Sequence, residues 1–447
     1  MLRRALYRTF RLLSSVDHRV RRRLTGGGHL VLAALAASAV IGLDTNQTMA
    51  YQAFTFCLAL LAVAAGTSLV FRGRFSARRV LPRFGTAGEP LAYRVVVHNA
   101  TDRLRRGLVL LEDLADPRPS LDELLQADAE EDGSDNWWDR VVGYPRWLGL
   151  IERNRGAVID PQPLPALPPR GAAEVRVELT PLRRGHVRFS GMTIARADAL
   201  GLVRAFRRIA LPESLLVLPR RYPVAPIRLA GIRKFQRGGV ALASSVGDSE
   251  EFVSLREYRP GDPLRRVHWK SWARVGRPMV REYQDEFFVR HALVLDTFTQ
   301  TARGERLEAA VSVAASLACA LDTGESLLDL LFVGPQAYGF TAGRGLGHVD
   351  QILETLAGVR ACRDGSFAAL HQLVAGRSGA LSGCLCVLLA WDEPRRALVQ
   401  HLDGLGIPTL ALVVTRPGEA LEPTAVGRLA RVHRVEVGRI AEDLAAL

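Results

Sequence analysis

The densest concentration of residues able to do chemistry lies between Glu251 and Arg274. Glu251, Phe252, Leu255, Arg256, Tyr258, Gly261, Asp262, Arg265, Trp269, Lys270 and Arg274 all fall in this block. A guanidinium offers parallel N–H donors, so these arginines could fork around a carboxylate or a phosphate. Pro260-Gly261-Asp262-Pro263 reads as a rigid turn. Two roles stay open. Arg256, Asp262 and Arg265 could form a salt-bridge cluster between domains with Trp269 filling a core gap, or the block could hold a partner. Lys270 and Lys234 are the only lysines in the chain. A compact ammonium at position 270 is one explanation; packing of the lysine stem is the other.

Other chemistries fare less well. The G-x-x-x-x-G-K-[ST] nucleotide loop, H-E-x-x-H and G-x-S-x-G are all absent from the sequence. Cys384-x-Cys386 places two side chains on one face of a strand, where two small buried residues are expected. His268 stands alone in the block as a structural histidine. Arg256, Arg259, Arg265, Arg266, Arg274, Arg277 and Arg281 interleave with Tyr258, Trp269 and Trp272, as in a nucleic-acid surface. Glu250, Glu251, Glu257, Asp262, Glu282, Asp285 and Glu286 nearly cancel that charge. The expectation is therefore a protein with no catalytic residues, no metal, no cofactor and no nucleic-acid partner.

The elements that must carry this block begin with a membrane anchor. The chain has 447 residues, a formal charge of +13, 48% apolar residues and 23% charged residues, values that exclude a disulfide scaffold and wholesale disorder. From Gly26 to Leu43 and from Ala50 to Phe71 there is no fixed charge, and each run approaches the ~30 Å of a hydrocarbon core. Arginines crowd the outer flanks (Arg19, Arg21, Arg22, Arg23; Arg72, Arg74, Arg78, Arg79), whereas Asp44 to Met49 has none. The positive-inside rule then predicts a multi-pass hairpin in the inner (cytoplasmic) membrane. Met1, Leu447 and the soluble domains would face the cytoplasm, with anionic lipid at the basic flanks.

Residues 1–25 read as a basic N-terminus and 26–72 as the transmembrane α-hairpin. Alternating strands at Leu91–His98, Gly107–Leu111, Ala173–Leu179, His186–Phe189, Met192–Ala195 and Leu215–Leu218 predict a β-sandwich over 85–220. An insertion at 116–170, rich in acidic residues, tryptophan and proline, interrupts it. The signature block occupies 230–290. Over 291–447 the rhythm becomes strand, helix, strand: Leu327–Val333, Cys384–Ala390 and Pro408–Val414 are buried-strand runs with helical patterns between them. That predicts a multidomain chain with a C-terminal doubly wound α/β domain, whose ligand face lies at the carboxyl ends of its strands. Asp296 ends the first of these strands, and Asp392 follows the Cys384 strand as a second candidate for the partner face.

The spaced identities Glu251, Phe252, Leu255, Arg256, Tyr258, Gly261, Asp262, Arg265, Trp269, Lys270, Ala273 and Arg274 resemble the bacterial family catalogued as domain of unknown function 58. Arg184-Gly185 and Asp198-Ala199-Leu200-Gly201-Leu202 are similar to its upstream elements. The resemblance implies a von Willebrand A-like C-terminal domain. Metal-binding members of that fold end their first strand D-x-S-x-S, whereas this chain reads Asp296-Thr297-Phe298-Thr299-Gln300. The resemblance also implies a non-catalytic adaptor for a MoxR-type AAA+ ATPase, acting in assembly or maturation of envelope or membrane complexes. The alternative is a metal-dependent von Willebrand A-type ligand-binding module without an ATPase. The client complex and the oligomeric state are not legible.

Overall fold

The computed structural model describes residues 2–41, 48–126, 143–227, 251–262, 264, 267–284, 289–299, 304–321, 326–343, 348–363, 365–421 and 430–447. They divide into two compact units, Met1–Pro219 and Arg220–Leu447.

The first unit opens with three helices, α1 (Leu2–Arg23), α2 (Gly26–Ile41) and α3 (Thr48–Leu69). Within α3, Met49–Leu69 is apolar and long enough to cross a membrane. α2 is apolar over its 16 described residues, about 24 Å at 1.5 Å per residue. Gly42 and Leu43 of the predicted first span lie outside the described residues, as do 44–47 of the predicted external turn, whose Thr48 and Met49 begin α3. Leu30, Val40, Met49, Phe56 and Val63 are exposed along these two helices, which pack on each other.

β1 (Phe75–Val80), β2 (Phe84–Thr86), β3 (Leu91–Asn99) and β4 (Leu108–Leu114) follow, then α4 (Leu121–Gln126) and α5 (Tyr144–Asn154) in the insertion. Its residues 127–142, including Trp137 and Trp138, lie outside the described residues. β5 (Ala157–Ile159), β6 (Gln162–Pro163), β7 (Ala172–Pro181), β8 (Gly185–Ala197) and β9 (Arg204–Leu218) complete the unit. Two sheets result, in the orders β1-β3-β7-β5 and β2-β9-β8-β4-β6. Alternate residues of both, among them Tyr93, Val95, Val177, Leu110, Phe189 and Ile194, share one core. β1 belongs to the first sheet although it precedes residue 85, where the sandwich was expected to begin.

Two predicted strands, His186–Phe189 and Met192–Ala195, are one strand, β8, with a register shift at Gly191. Gly191 lies within the strand beside this bulge, where β9 passes so close that a Cβ would meet the Ile209 carbonyl oxygen at 2.3 Å.

The second unit begins with the hairpin β10 (Glu251–Glu257), α6 (Trp269–Val275) and β11 (Met279–Gln284). β12 (Val289–Leu295), α7 (Glu305–Ala320), β13 (Ser326–Val333), β14 (Ala337–Ala342), α8 (Val349–Gly358), α9 (Phe367–Ala375), β15 (Gly383–Leu388), α10 (Glu393–Gly404), β16 (Thr409–Thr415), β17 (Ala430–Glu436) and α11 (Ile440–Ala445) follow. The six-stranded sheet has the order β14-β13-β12-β15-β16-β17 and is parallel except for β14. α7 packs with α8 and α11, while α9 and α10 pack together over Ala292, Val294, Cys384 and Cys386. Strand order reverses between β12 and β15, so the crevice at their carboxyl ends is where an open α/β sheet takes its ligand.

Candidate functional site

The predicted residues gather in two clusters. The first is the signature hairpin. β10 and β11 pair antiparallel from Glu251↔Gln284 to Glu257↔Met279, with Phe252 opposite Tyr283. Arg256 reaches from β10 into the turn and grips Asp262 with two bonds, Nη1 to Oδ2 and Nη2 to Oδ1, both 2.7 Å. The backbone N–H of Arg259 donates to the same carboxylate at 2.8 Å. Gly261 has φ +107°, a left-handed conformation that favours glycine, so the turn needs it there. Tyr258 N–H donates to the Pro278 carbonyl and His268 N–H to that of Met279, closing the turn onto β11. His268 Nδ1 lies 2.7 Å from Ser271 Oγ.

The Arg256–Asp262 pair is therefore a local clasp, six residues apart in one turn. Arg265 lies outside the described residues. Trp269, for which filling a core gap was one of the two open roles, is 63% exposed and stacks on Trp272 with ring centroids 5.2 Å apart. Lys270 and Arg274 are exposed on the same short helix, and Leu255 is half-buried beside Arg256.

The bonds from Arg256 and from the Arg259 backbone hold the Asp262 carboxyl down at about 2. The folded value lies below the ordinary 3.8, so the stabilisation is complete above 3.8 and is lost as pH falls through about 2. Carbon-13 NMR of aspartate-labelled chain should give a midpoint near 2 for this carboxyl, returning towards 3.8 in Arg256→Ala. An unchanged midpoint in the variant would remove Arg256 as its cause.

The second cluster sits at the reversal between β12 and β15. Asp296 directly follows β12 and is fully buried. Its Oδ1 accepts from Phe298 N–H and its Oδ2 from Leu389 N–H, each at 3.0 Å. The Arg395 side chain lies between the two predicted aspartates, with Nε 3.0 Å from Asp296 Oδ2 and Nη1 2.5 Å from Asp392 Oδ2. Asp392 also caps α10 by accepting from Arg395 N–H. Burial works against the charge of Arg395, but the bonds and charges of Asp296 and Asp392 more than offset it, and its pKa is raised. The guanidinium lies 4.5 Å over the ring of Phe367.

Asp296 thus lies beneath the face to which it was assigned, and Asp392 is the partly exposed member. At the first hydroxyl position expected of a metal-binding strand end stands Phe298, which offers no oxygen. Thr297 is buried and donates its hydroxyl to the Val333 carbonyl; Phe298 packs edge-on against Phe367 with centroids 5.8 Å apart. Gln300 lies outside the described residues. With Arg395 between the carboxylates, this donor set does not fit a divalent cation, which would have to displace a guanidinium already bonded to both. Among the described residues no group of three or more His, Cys, Asp or Glu could hold a metal ion.

Beside the clamp opens a cavity of about 480 Å³. Phe298, Phe367 and Ala397 give it apolar wall, and Thr299, Ser366, His371 and Arg395 give it polar groups. Burial, then the neighbouring His401, pushes the pKa of His371 down, which favours a neutral imidazole. Arg395, Phe367 and His371 were not legible as site residues. The available signal was local: Asp392-x-x-Arg395 at the start of a helix, which places a cation beside its own cap. Cys384 and Cys386 are fully buried on the α9/α10 face, as expected of small core residues.

Residues 254–399 match the family described as protein of unknown function DUF58, about a third of the chain. That stretch takes in most of the signature hairpin and the whole Asp296–Asp392–Arg395 clamp. The chain is 27% identical over 184 residues to the uncharacterized protein YeaD of Bacillus subtilis (strain 168). The aligned stretch is 40% of this chain and 44% of that relative, so this chain spans less than half of the relative's length. Among solved structures, a GH20 exo-β-N-acetylglucosaminidase from Vibrio harveyi, in complex with N-acetylglucosamine, aligns with 77% of this chain and 57% of its own at 8% identity. Its TM-score of 0.13 is far too low to indicate a shared fold.

Proposed function

We propose that the chain is a membrane-tethered, non-catalytic adaptor. Its second unit acts as a von Willebrand A-like domain that docks a MoxR-type AAA+ ATPase, in assembly or maturation of envelope or membrane complexes. α2 and α3 form the inner-membrane hairpin, and both units stand on the cytoplasmic side. One observation carries the docking site: the buried Arg395 clamp at the strand-order reversal, with a cavity beside it. A guanidinium bonded to both aspartates supplies the positive charge that a cation would otherwise bring, so the face is complete without metal. Apolar walls with a few polar groups suit an anchoring side chain from a protein partner. Without a nucleotide loop of its own, the chain depends on a partner for any ATP-driven work.

The test uses detergent-solubilised full chain and a purified MoxR-type ATPase from the same cell. Binding should persist in EDTA. Ala368→Arg, an exposed change in the first turn of α9 at the cavity edge, should weaken it at least tenfold. Binding abolished by EDTA and restored by Mg²⁺ would replace this reading with the metal-dependent module, and no binding to any such ATPase would overturn the adaptor.

A further inference from the structure

The N-terminal helix has two different sides, and the fold accounts for one. On the inner side, Tyr7 meets Trp147 of α5 edge-on at 5.6 Å between centroids, and Phe10 packs on both Tyr144 and Trp147. Arg22 pairs with the buried Asp113 of β4 at 2.7 Å. These contacts fix how α1 is rotated on the sheet unit. A turn of 100° per residue then carries Leu12, Leu13 and Val16 to the outer side, where they are 67%, 54% and 58% exposed. Arg8 and Arg19 are exposed too and fall beside that outer stripe, whereas the Arg23 guanidinium lies over the Phe206 ring of β9. The helix carries eight arginines and one acid, Asp17, so it cannot enter a hydrocarbon core end-on.

The junction between α1 and α2 indicates what covers the stripe. Leu24 leaves α1 to bridge with Val203, Thr25 donates its N–H to the Leu202 carbonyl, and the apolar α2 starts at Gly26. The turn before β9 is pinned by Asp198, whose Oδ1 accepts from Leu202 N–H and Val203 N–H at 2.7 Å each. That turn fits tightly against the start of α2: a Cβ on Gly28 would meet the Leu202 carbonyl oxygen at 2.1 Å. The outer stripe of α1 is therefore joined by two residues to an apolar helix at a tightly held junction. An exposed apolar stripe flanked by arginines is complementary to the surface of an anionic bilayer.

We propose that α1 lies in the membrane surface, with Leu12, Leu13 and Val16 among the acyl chains and Arg8 and Arg19 against lipid phosphates. This rests on the membrane-anchored part of the function proposed above and not on the ATPase. α1 then acts as a strap between the sheet unit and the bilayer, held by Trp147 on one side and by lipid on the other.

The test places the photoreactive residue benzoylphenylalanine at position 13, 16, 10 or 56 of the full chain, reconstituted in three-to-one phosphatidylcholine–phosphatidylglycerol vesicles. Illumination followed by mass spectrometry should find phospholipid adducts from 13 and 16, as from 56 on the exposed side of α3. Position 10, buried against Trp147, should give adducts within the protein. In vesicles of phosphatidylcholine alone, the lipid adducts at 13 and 16 should fall several-fold while those at 56 persist. Lipid adducts at 56 without any at 13 and 16 would overturn the strap and leave the anchor standing. Their absence at 56 as well would remove the anchor, and chain-to-chain adducts at 13 would make the stripe a protein interface and overturn the proposal.

Discussion

Arg79→Met should destabilise the first unit by about 3–5 kcal/mol, the cost of leaving a buried charge without its partner. Arg79 stands on β1 with a fully buried side chain, and Glu112 on β4 is 1% exposed. The guanidinium holds Glu112 with two bonds, Nε to Oε1 at 3.1 Å and Nη2 to Oε2 at 2.6 Å. It also donates to Glu213 at 2.9 Å and to the carbonyl of Gly191 at 3.2 Å, and stacks 4.2 Å over Phe189. Tyr93 adds a 2.8 Å bond to Glu112, and burial, then the Glu112 charge, pushes its phenol pKa up. One cation thus ties β1 of one sheet to β4, β8 and β9 of the other beside the bulge. The double variant Arg79→Met, Glu112→Leu removes both charges and should recover most of the loss, less about 1–3 kcal/mol for the Tyr93 hydroxyl left without its acceptor. Pulse proteolysis in urea would read the midpoint of this unit. Equal loss in the single and double variants would mean that packing, and not the stranded charge, sets the cost.

The same residue shows where the sequence stops being informative. Arg79 read as one of several basic residues flanking the membrane segment, and nothing local distinguishes it from Arg78, its neighbour on β1. Its role depends on partners 33 and 134 positions away. The Arg256–Asp262 clasp spans six residues, so the turn chemistry of Pro260-Gly261-Asp262 was enough to place its charges together, though not to show that they pair with each other. Core strands were legible for a related reason. β13, β15 and β16 are covered on both faces and so read as continuous apolar runs. β14 and β17 sit at the sheet edges, where half-exposed sequences such as Ala430-Arg431-Val432-His433-Arg434 carry no such run. For Trp269 the sequence left core filling and partner holding both open, because the contact that places its ring, Trp272 one helical turn on, does not distinguish them.

Arg395→Ala should have the larger effect on the second unit, because it strands Asp296 at the centre of the sheet. The two backbone N–H donors from Phe298 and Leu389 remain, so the cost falls at the low end of the range for a broken buried pair, about 3 kcal/mol. That corresponds to amide exchange on the order of 100-fold faster in β12 and β15, where opening exposes both strand ends. Arg395→Lys keeps the charge but has one ammonium in place of a fork, so it can satisfy Asp296 or Asp392 and should lie between wild type and alanine. Asp392→Ala should cost only about 1 kcal/mol, the usual value of a helix cap, since its side chain is 44% exposed and solvent screens what remains of the pairing. Hydrogen exchange on the full chain ranks the three. Millimolar Mg²⁺ should leave the wild-type protection of β12 and β15 unchanged, because the guanidinium already occupies the space between the carboxylates. Two results would show that the clamp does not hold this apex: an Arg395→Ala chain protected like wild type, or a wild-type chain whose protection rises with Mg²⁺.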